Sequence, residues 1–386
     1  MGWVSNVGDF STIIYNPASV NDFADQFSAT VGRYNDTAGV LREYLGSFLL
    51  KKSLGKMINV GVIANTKTET GSSMLRSDFY SHARDFLLQS PEENLPTSFP
   101  MVPHLVLGID FGSVGLAIEG WVENVSFRNS NHRGAERDVF KTVQNIGLKL
   151  NSNIYIKNFW FCPVLGYSAP HINGEISGEN SYRSDMKKFI TCGAELGTEI
   201  SKFSYAAGLY YTIEEYMFRD NSRETPHFKT EIYEAYFGVS TYLMEKLFFA
   251  CIYSVNLWNE YIYRLNVQEK SRYHGRYIWH ELKAGVEKTI RTNRVLDNVI
   301  PRAGFYYGIE YIDETTVFID SERADVRAVY PPTVHGVFLT TGIGLEKGIF
   351  GLDLAFNFGT WNGVFTGPQI ASATLTVGLS EKFLQK

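Results

Sequence analysis

Two runs of alternating character lie between Thr230 and Arg264, separated by Glu245-Lys246. In the first, Tyr233, Ala235, Phe237, Val239 and Leu243 share one side, and Thr230, Glu234, Tyr236, Gly238 and Ser240 share the other. In the second, Leu247, Phe249, Cys251, Tyr253, Val255 and Leu257 oppose Ala250, Ser254, Asn256, Trp258 and Glu260. A period of two marks a strand with one apolar face. Both runs far exceed the roughly 5 to 6 residues of an ordinary soluble strand. A soluble sandwich would set Lys, Glu and Thr on its outer face. Here the polar face is built from Gly, Ser, Thr, Asn, Glu and aromatic residues, which suits a wet lumen. A tilted strand needs about 9 to 11 residues to cross a bilayer, and these runs have that length with margin.

The same plan repeats along the chain. About sixteen such runs occur, the second of which, Val40–Lys51, has a pattern mixed enough to fit a strand or a helix. Short links fall at 52–55, 112–113, 152, 201, 245–246 and 346–348. Longer polar segments lie between them, at Thr66–Pro103, Arg128–Arg137, Ser168–Asp185, Arg219–Pro226, Asn266–Tyr273 and Ile319–Thr333. Short on one side and long on the other is the layout of an outer-membrane barrel. The expected fold is therefore all-β, a transmembrane antiparallel β-barrel.

Composition supports this. The 386 residues carry a net charge of -5 with 15% aromatic residues, the stock of interfacial girdles, and nothing in the balance points to nucleic acid. No apolar run of about 18 residues occurs, so only strands could span a membrane. Cys162, Cys192 and Cys251 are too few and too widely spaced for a disulfide framework or a metal site, and read as buried or lipid-facing thiols. No metal or cofactor is expected, and the scattered histidines form no Ser, His and Asp grouping, so an enzyme is not expected either.

The inward faces carry carboxylates, among them Glu119, Glu195, Glu214, Glu234, Glu281 and Asp353, with Lys149 and Lys283 on the same side. Two readings stand: a lumen that prefers cations or neutral solutes, or a solvated interior whose carboxylates pair with lysines and the N-terminal segment. Inward glycines such as Gly193, Gly197 and Gly208 fit either a backbone approached by a plug or sheet curvature. The insertion Thr66–Pro103 holds a short helical pattern around Tyr80–Leu88 and an unusual load of apolar residues, Phe79, Tyr80, Phe86, Leu87 and Leu88.

The N-terminus reads MGWVSNVGDFSTIIYNPASV. Met1-Gly2, then Ile14-Tyr15 and Asn16-Pro17-Ala18 ahead of the first strand, resemble the opening of the FadL-like long-chain fatty acid transporters and their PorV-like relatives. Pro17 fixes φ and lacks an N–H, and Asn16 can bond its own backbone, so the triplet makes a rigid turn suited to a plug. The resemblance implies a barrel of fourteen strands in the bacterial outer membrane, spanning residues 23–386, with an extracellular loop at 66–103. Residues 1–22 would fold inside it as a hatch, with Asn16, Pro17 and Ala18 as its motif. Because the Met-Gly of this motif lies some residues into the mature protein in the family, a leader is expected ahead of Met1. The implied activity is uptake of hydrophobic compounds such as long-chain fatty acids, captured by Phe79, Tyr80, Phe86, Leu87 and Leu88 and released sideways through the wall. The PorV-like branch implies instead a subunit or shuttle of a secretion, motility or surface-assembly complex. The partners are then outer-membrane lipid and either a hydrophobic small molecule or a protein of the envelope.

Overall fold

The computed structural model describes residues 16–35, 41–65, 102–129, 139–169, 171–176, 179–220, 223–264, 270–292, 295–319, 324–361 and 364–379. After a one-turn 3₁₀ helix at Pro17–Asn21 come β1 (Gln26–Asn35), β2 (Leu41–Ser53), β3 (Ile58–Asn65), β4 (Val102–Asp110), β5 (Val114–Asn129) and β6 (Val139–Ile156). Then follow β7 (Phe159–Ser168), β8 (His171–Ile176), β9 (Glu179–Ile200), β10 (Phe203–Asp220), β11 (Arg223–Met244) and β12 (Leu247–Arg264). The last are β13 (Lys270–Lys288), β14 (Ile290–Arg291), β15 (Asn298–Ile319), β16 (Val326–Lys347), β17 (Phe350–Trp361) and β18 (Val364–Gly378).

Each strand pairs antiparallel with its neighbour, and β1 pairs with both β2 and β18, so the sheet closes on itself. β7 and β8 occupy one place between β6 and β9, and β14 only extends the edge beside β15. The barrel thus has 16 strands, matching the runs counted in the sequence and exceeding the fourteen implied by the resemblance. The run Val40–Lys51, which fitted either helix or strand, is strand from Leu41 onward.

The alternation does what the sequence demands. Leu196, Leu209, Phe237 and Leu339 look outward and are more than half exposed on the isolated chain, while Glu214, Thr230 and Ile232 between them look inward and are buried. On β15 the outward series Pro301, Ala303, Phe305, Tyr307, Ile309 and Tyr311 is apolar, and the next outward residue, Asp313, pairs with Arg327. Residues 301–311 therefore mark the membrane-facing stretch, the length a tilted strand needs.

Strands β9, β11, β15 and β16 are 22 residues long, about twice what a bilayer requires. They project past the apolar band at the end away from the barrel's N-terminus. This corrects the loop assignments at Ser168–Asp185, Arg219–Pro226 and Ile319–Thr333, much of which is paired strand. Outside the bilayer both faces meet water, so the alternation that marks a strand is lost there. At the opposite end the turns are tight: Lys157, Ser201 and Lys246 take positive φ at two-residue links, as hairpin turns require. The link placed at Ser152 lies instead at Lys157-Asn158, because β6 runs on through the turn-like Asn151-Ser152-Asn153. The insertion after β3 covers 66–101, since β4 begins at Val102; Phe79, Tyr80, Phe86, Leu87 and Leu88, and the helical pattern around them, lie outside the described residues.

Candidate functional site

The turn end of the lumen is occupied by residues 16–25. Asn16 caps the 3₁₀ helix by accepting from the Ala18 N–H at 3.2 Å, and its own amide donates to Asn153 Oδ1 on β6 at 2.7 Å. Pro17 takes the first helical position, where its missing N–H leaves nothing unsatisfied. Ala18, Val20 and Phe23 pack on Leu49, Ile63, Val106 and Ala117 of β2 to β5, forming one apolar cluster inside the wall. Burying these side chains supplies about 1.5 to 3 kcal/mol for each large one, the main attraction holding the segment in place.

The wall is shaped to receive it. A Cβ on Gly108 would collide with Val20 Cγ1 and Asn21 Oδ1. One on Gly115 would stand 2.9 Å from Asn21 Nδ2, and one on Gly61 3.3 Å from Val20 Cγ2. Asn21 donates to the Leu116 carbonyl at 3.2 Å and accepts from Asn59 at 2.9 Å. Asp22 accepts from Asn153 at 3.2 Å and Tyr155 at 3.3 Å. The glycines that make room for the segment are thus Gly61, Gly108 and Gly115. Gly193, Gly197 and Gly208 are covered by aromatic rings of neighbouring strands: Tyr210, Trp160 and Tyr236 respectively.

Asp25 latches the segment to the barrel. Lys51 and Lys52 reach it at 3.1 and 2.8 Å, and Ser53 donates both its N–H, at 2.8 Å, and its hydroxyl, at 2.7 Å. Burial alone would raise its pKa, but the bonds from Lys52, Ser53 and Lys51 outweigh it and hold Asp25 well below the usual carboxylate range. A depressed carboxylate contributes stability that is full above its unfolded pKa of about 3.9 and fades as pH falls through the native value. Docking of residues 16–25 is therefore expected to hold unchanged from pH 7 to about 4. Asp25→Asn removes the carboxylate that Lys51 and Lys52 both reach and should weaken docking by about 3 kcal/mol. Hydrogen exchange of the amides of residues 18–25 measures both.

Next to this seat His104 Nδ1 meets Glu119 Oε1 at 2.6 Å, and the imidazole stacks on Trp121 with ring centroids 5.1 Å apart. Sequence reasoning did not find this buried pair. Counting residues back from the turn at Gly112-Ser113 would have set His104 and Val106 across from Trp121 and Glu119.

The lumen carboxylates named from the sequence do face inward, yet they are not brought together at one point. Glu195 accepts from Trp160 Nε1 at 3.0 Å and from the Tyr236 hydroxyl. Glu281 accepts from Ser254 at 3.1 Å, Tyr306 at 3.0 Å and Lys283 at 3.0 Å. Glu214 and Glu234 are buried on β10 and β11. Lysine pairing, one of the two readings open from the sequence, describes Glu281; Glu195 is held by neutral N–H and O–H donors of aromatic side chains. Further along, Trp279 donates to Glu310 at 2.6 Å, and Tyr273 and Tyr277 to Glu314 at 2.9 and 3.0 Å. Cys162 faces the lumen and Cys192 the outside.

No protein-family model and no curated sequence matches the chain. Among solved structures it is similar to the CymD monoaromatic hydrocarbon channel, with 10% identity over 99% of this chain and 95% of that one and a TM-score of 0.44. It is also similar to the Pseudomonas putida toluene transporter TodX, with 10% identity over 97% and 94% of the two chains and a TM-score of 0.42. CdiB from Acinetobacter baumannii matches 92% of this chain, but the match spans only 60% of CdiB, with 9% identity and a TM-score of 0.47.

Proposed function

We propose that the protein is an outer-membrane channel for hydrophobic compounds, with residues 1–22 as its hatch and the projecting strands and the 66–101 insertion as its outer mouth. The observation that carries this reading is the seat itself. A segment held by one apolar cluster and a few side-chain hydrogen bonds, in a recess cut by Gly61, Gly108 and Gly115, is built to dock as a unit on a closed barrel. Aromatic rings along the remaining wall, Trp160, Tyr236, Trp258, Tyr277 and Trp279, give an apolar solute something to slide on. Long-chain fatty acids, the cargo implied by the N-terminal resemblance, fit this lumen less well, because their carboxylates would pass Glu195, Glu214, Glu234 and Glu281. Neutral hydrophobic compounds fit better.

The test is uptake of naphthalene by vesicles with a lipopolysaccharide outer leaflet. Vesicles holding the barrel should take it up faster than protein-free vesicles, and dodecanoate no faster. Equal naphthalene rates would sink the proposal. One observation favours a second role, as a subunit of an envelope complex: the 22-residue strands raise a wall well clear of the membrane, a surface for another protein. A stoichiometric partner that survives detergent extraction would carry that reading instead.

A further inference from the structure

Three successive inward rows cross β10 to β15 at the level above Glu195 and Glu281. In the first, register aligns Glu234, Asn256, Trp279 and Glu310 on four adjacent strands. In the second, Trp258 and Tyr277 are paired, with Trp258 edge-on to Trp279 at 5.6 Å and tilted to Tyr277 at 6.0 Å between ring centroids. In the third, Glu260 and Glu314 share a level, and Glu214 follows on β10. An aromatic band is thus bordered by carboxylates above and below. Among the described residues, no lysine, arginine or histidine occupies an inward position in these rows. The next cation down β13, Lys283, is engaged by Glu281 at 3.0 Å.

A cluster of acids alone would be a solvated wall. The second observation is Asn256, which is 2% exposed and sits at the centre of the first row. Its Oδ1 has no hydrogen-bond partner within the chain, an arrangement that a folded protein rarely tolerates unless a water or a ligand supplies the donor. An amide oxygen accepts hydrogen bonds only, so the group that completes it, between Glu234 and Trp279, must donate. Ring faces attract cations through their quadrupole, and the fixed carboxylates add long-range attraction.

From this we infer that the wall of β10 to β15 is a binding site for an aryl- or alkylammonium: a protonated amine whose N–H groups meet Asn256, Glu234 and Glu310 while its apolar body lies on Trp258, Tyr277 and Trp279. The inference rests on the channel reading and names a cargo class for it, an apolar compound carrying one positive charge.

Three soluble probes of one size test it on the full-length barrel in non-ionic detergent: 2-phenylethylammonium, 2-phenylethanol and 3-phenylpropanoate, followed by calorimetry. The ammonium should bind saturably and at least about 10-fold more tightly than either of the others. Glu234→Gln and Glu310→Gln should each weaken it about 10-fold while the barrel keeps its folded gel mobility. Asn256→Ala should weaken it too, and Glu199→Gln, at the turn end, should not. Equal affinity for ammonium and alcohol, or affinity unchanged in all three site variants, overturns the inference. Naphthalene uptake separates the two proposals: uptake without ammonium preference defeats the site alone, and ammonium binding without uptake defeats the channel alone.

Discussion

Gly108→Val is expected to expel residues 16–25 from the lumen and leave the barrel standing. The substitution adds its first carbon where Val20 Cγ1 and Asn21 Oδ1 already lie, and two more methyls beyond it. The strand is anchored on both sides by β3 and β5, so the wall cannot retreat. Residues 16–25 can, because they are held by about one residue's worth of polar bonds at each of Asn16, Asn21 and Asp25 and by the Ala18–Val20–Phe23 cluster. Overpacking typically opposes docking by about 1 to 3 kcal/mol, and here the polar contacts of Asn21 go with it. The small-solute swelling rate of vesicles carrying the variant should rise about 10-fold or more, with amides 18–25 exchanging freely. Val20→Ala in the same chain removes the Val20 half of the collision and leaves that with Asn21, so it should bring permeation only part of the way back toward the wild-type rate. Wild-type permeation in Gly108→Val would mean that residues 16–25 do not close the pore.

How much of this was legible depended on which solvent each residue meets. Hydrocarbon outside and water inside force the period of two, so Phe203–Ile213 and Leu247–Leu257 could be assigned faces without a structure. Where β11 and β15 leave the bilayer, at Glu231 and Asp313, that constraint ends, and Arg219–Pro226 reads as a loop although Arg219 pairs with Glu224 and Asp220 with Arg223. Asn151 and Asn153 misled for a related reason: residue types favoured in turns are here buried on the inward face, and Asn153 accepts from Asn16. The triplet Asn16-Pro17-Ala18 was visible by position, and each member now has a task, capping, starting and burying the helix. Its seat was not visible, because Gly61, Gly108 and Gly115 lie on three strands and become neighbours only through register. The row that holds Asn256 between Glu234 and Trp279 was hidden in the same way, since strand membership was readable and the stagger between strands was not.

The same dependence on stagger governs the lumen glycines, and Gly197 is expected to give the largest loss of stability in the barrel wall. Trp160 stands directly across from it on β7, and its indole lies over the Gly197 Cα, where a side chain would overlap the ring. Trp121 over Gly147, Tyr210 over Gly193 and Tyr236 over Gly208 repeat the arrangement at directly paired positions. An unsubstituted Cα lets the ring lie flat on the sheet, which covers an otherwise bare backbone and fixes the register of the pair. In Gly197→Val the indole must lift away, giving up its 3.0 Å bond to Glu195 as well as its packing. Overpacking and the lost charged hydrogen bond together come to about 4 kcal/mol. The measurement is the urea midpoint of the folded, fast-migrating form in lipid vesicles. The decisive comparison adds Trp160→Ala. If ring and glycine act as one unit, the double variant should be no less stable than Trp160→Ala alone, because the obstacle that valine meets is already gone. Simple addition of the two losses would show that Gly197 serves the curvature of β9 and not the seating of Trp160.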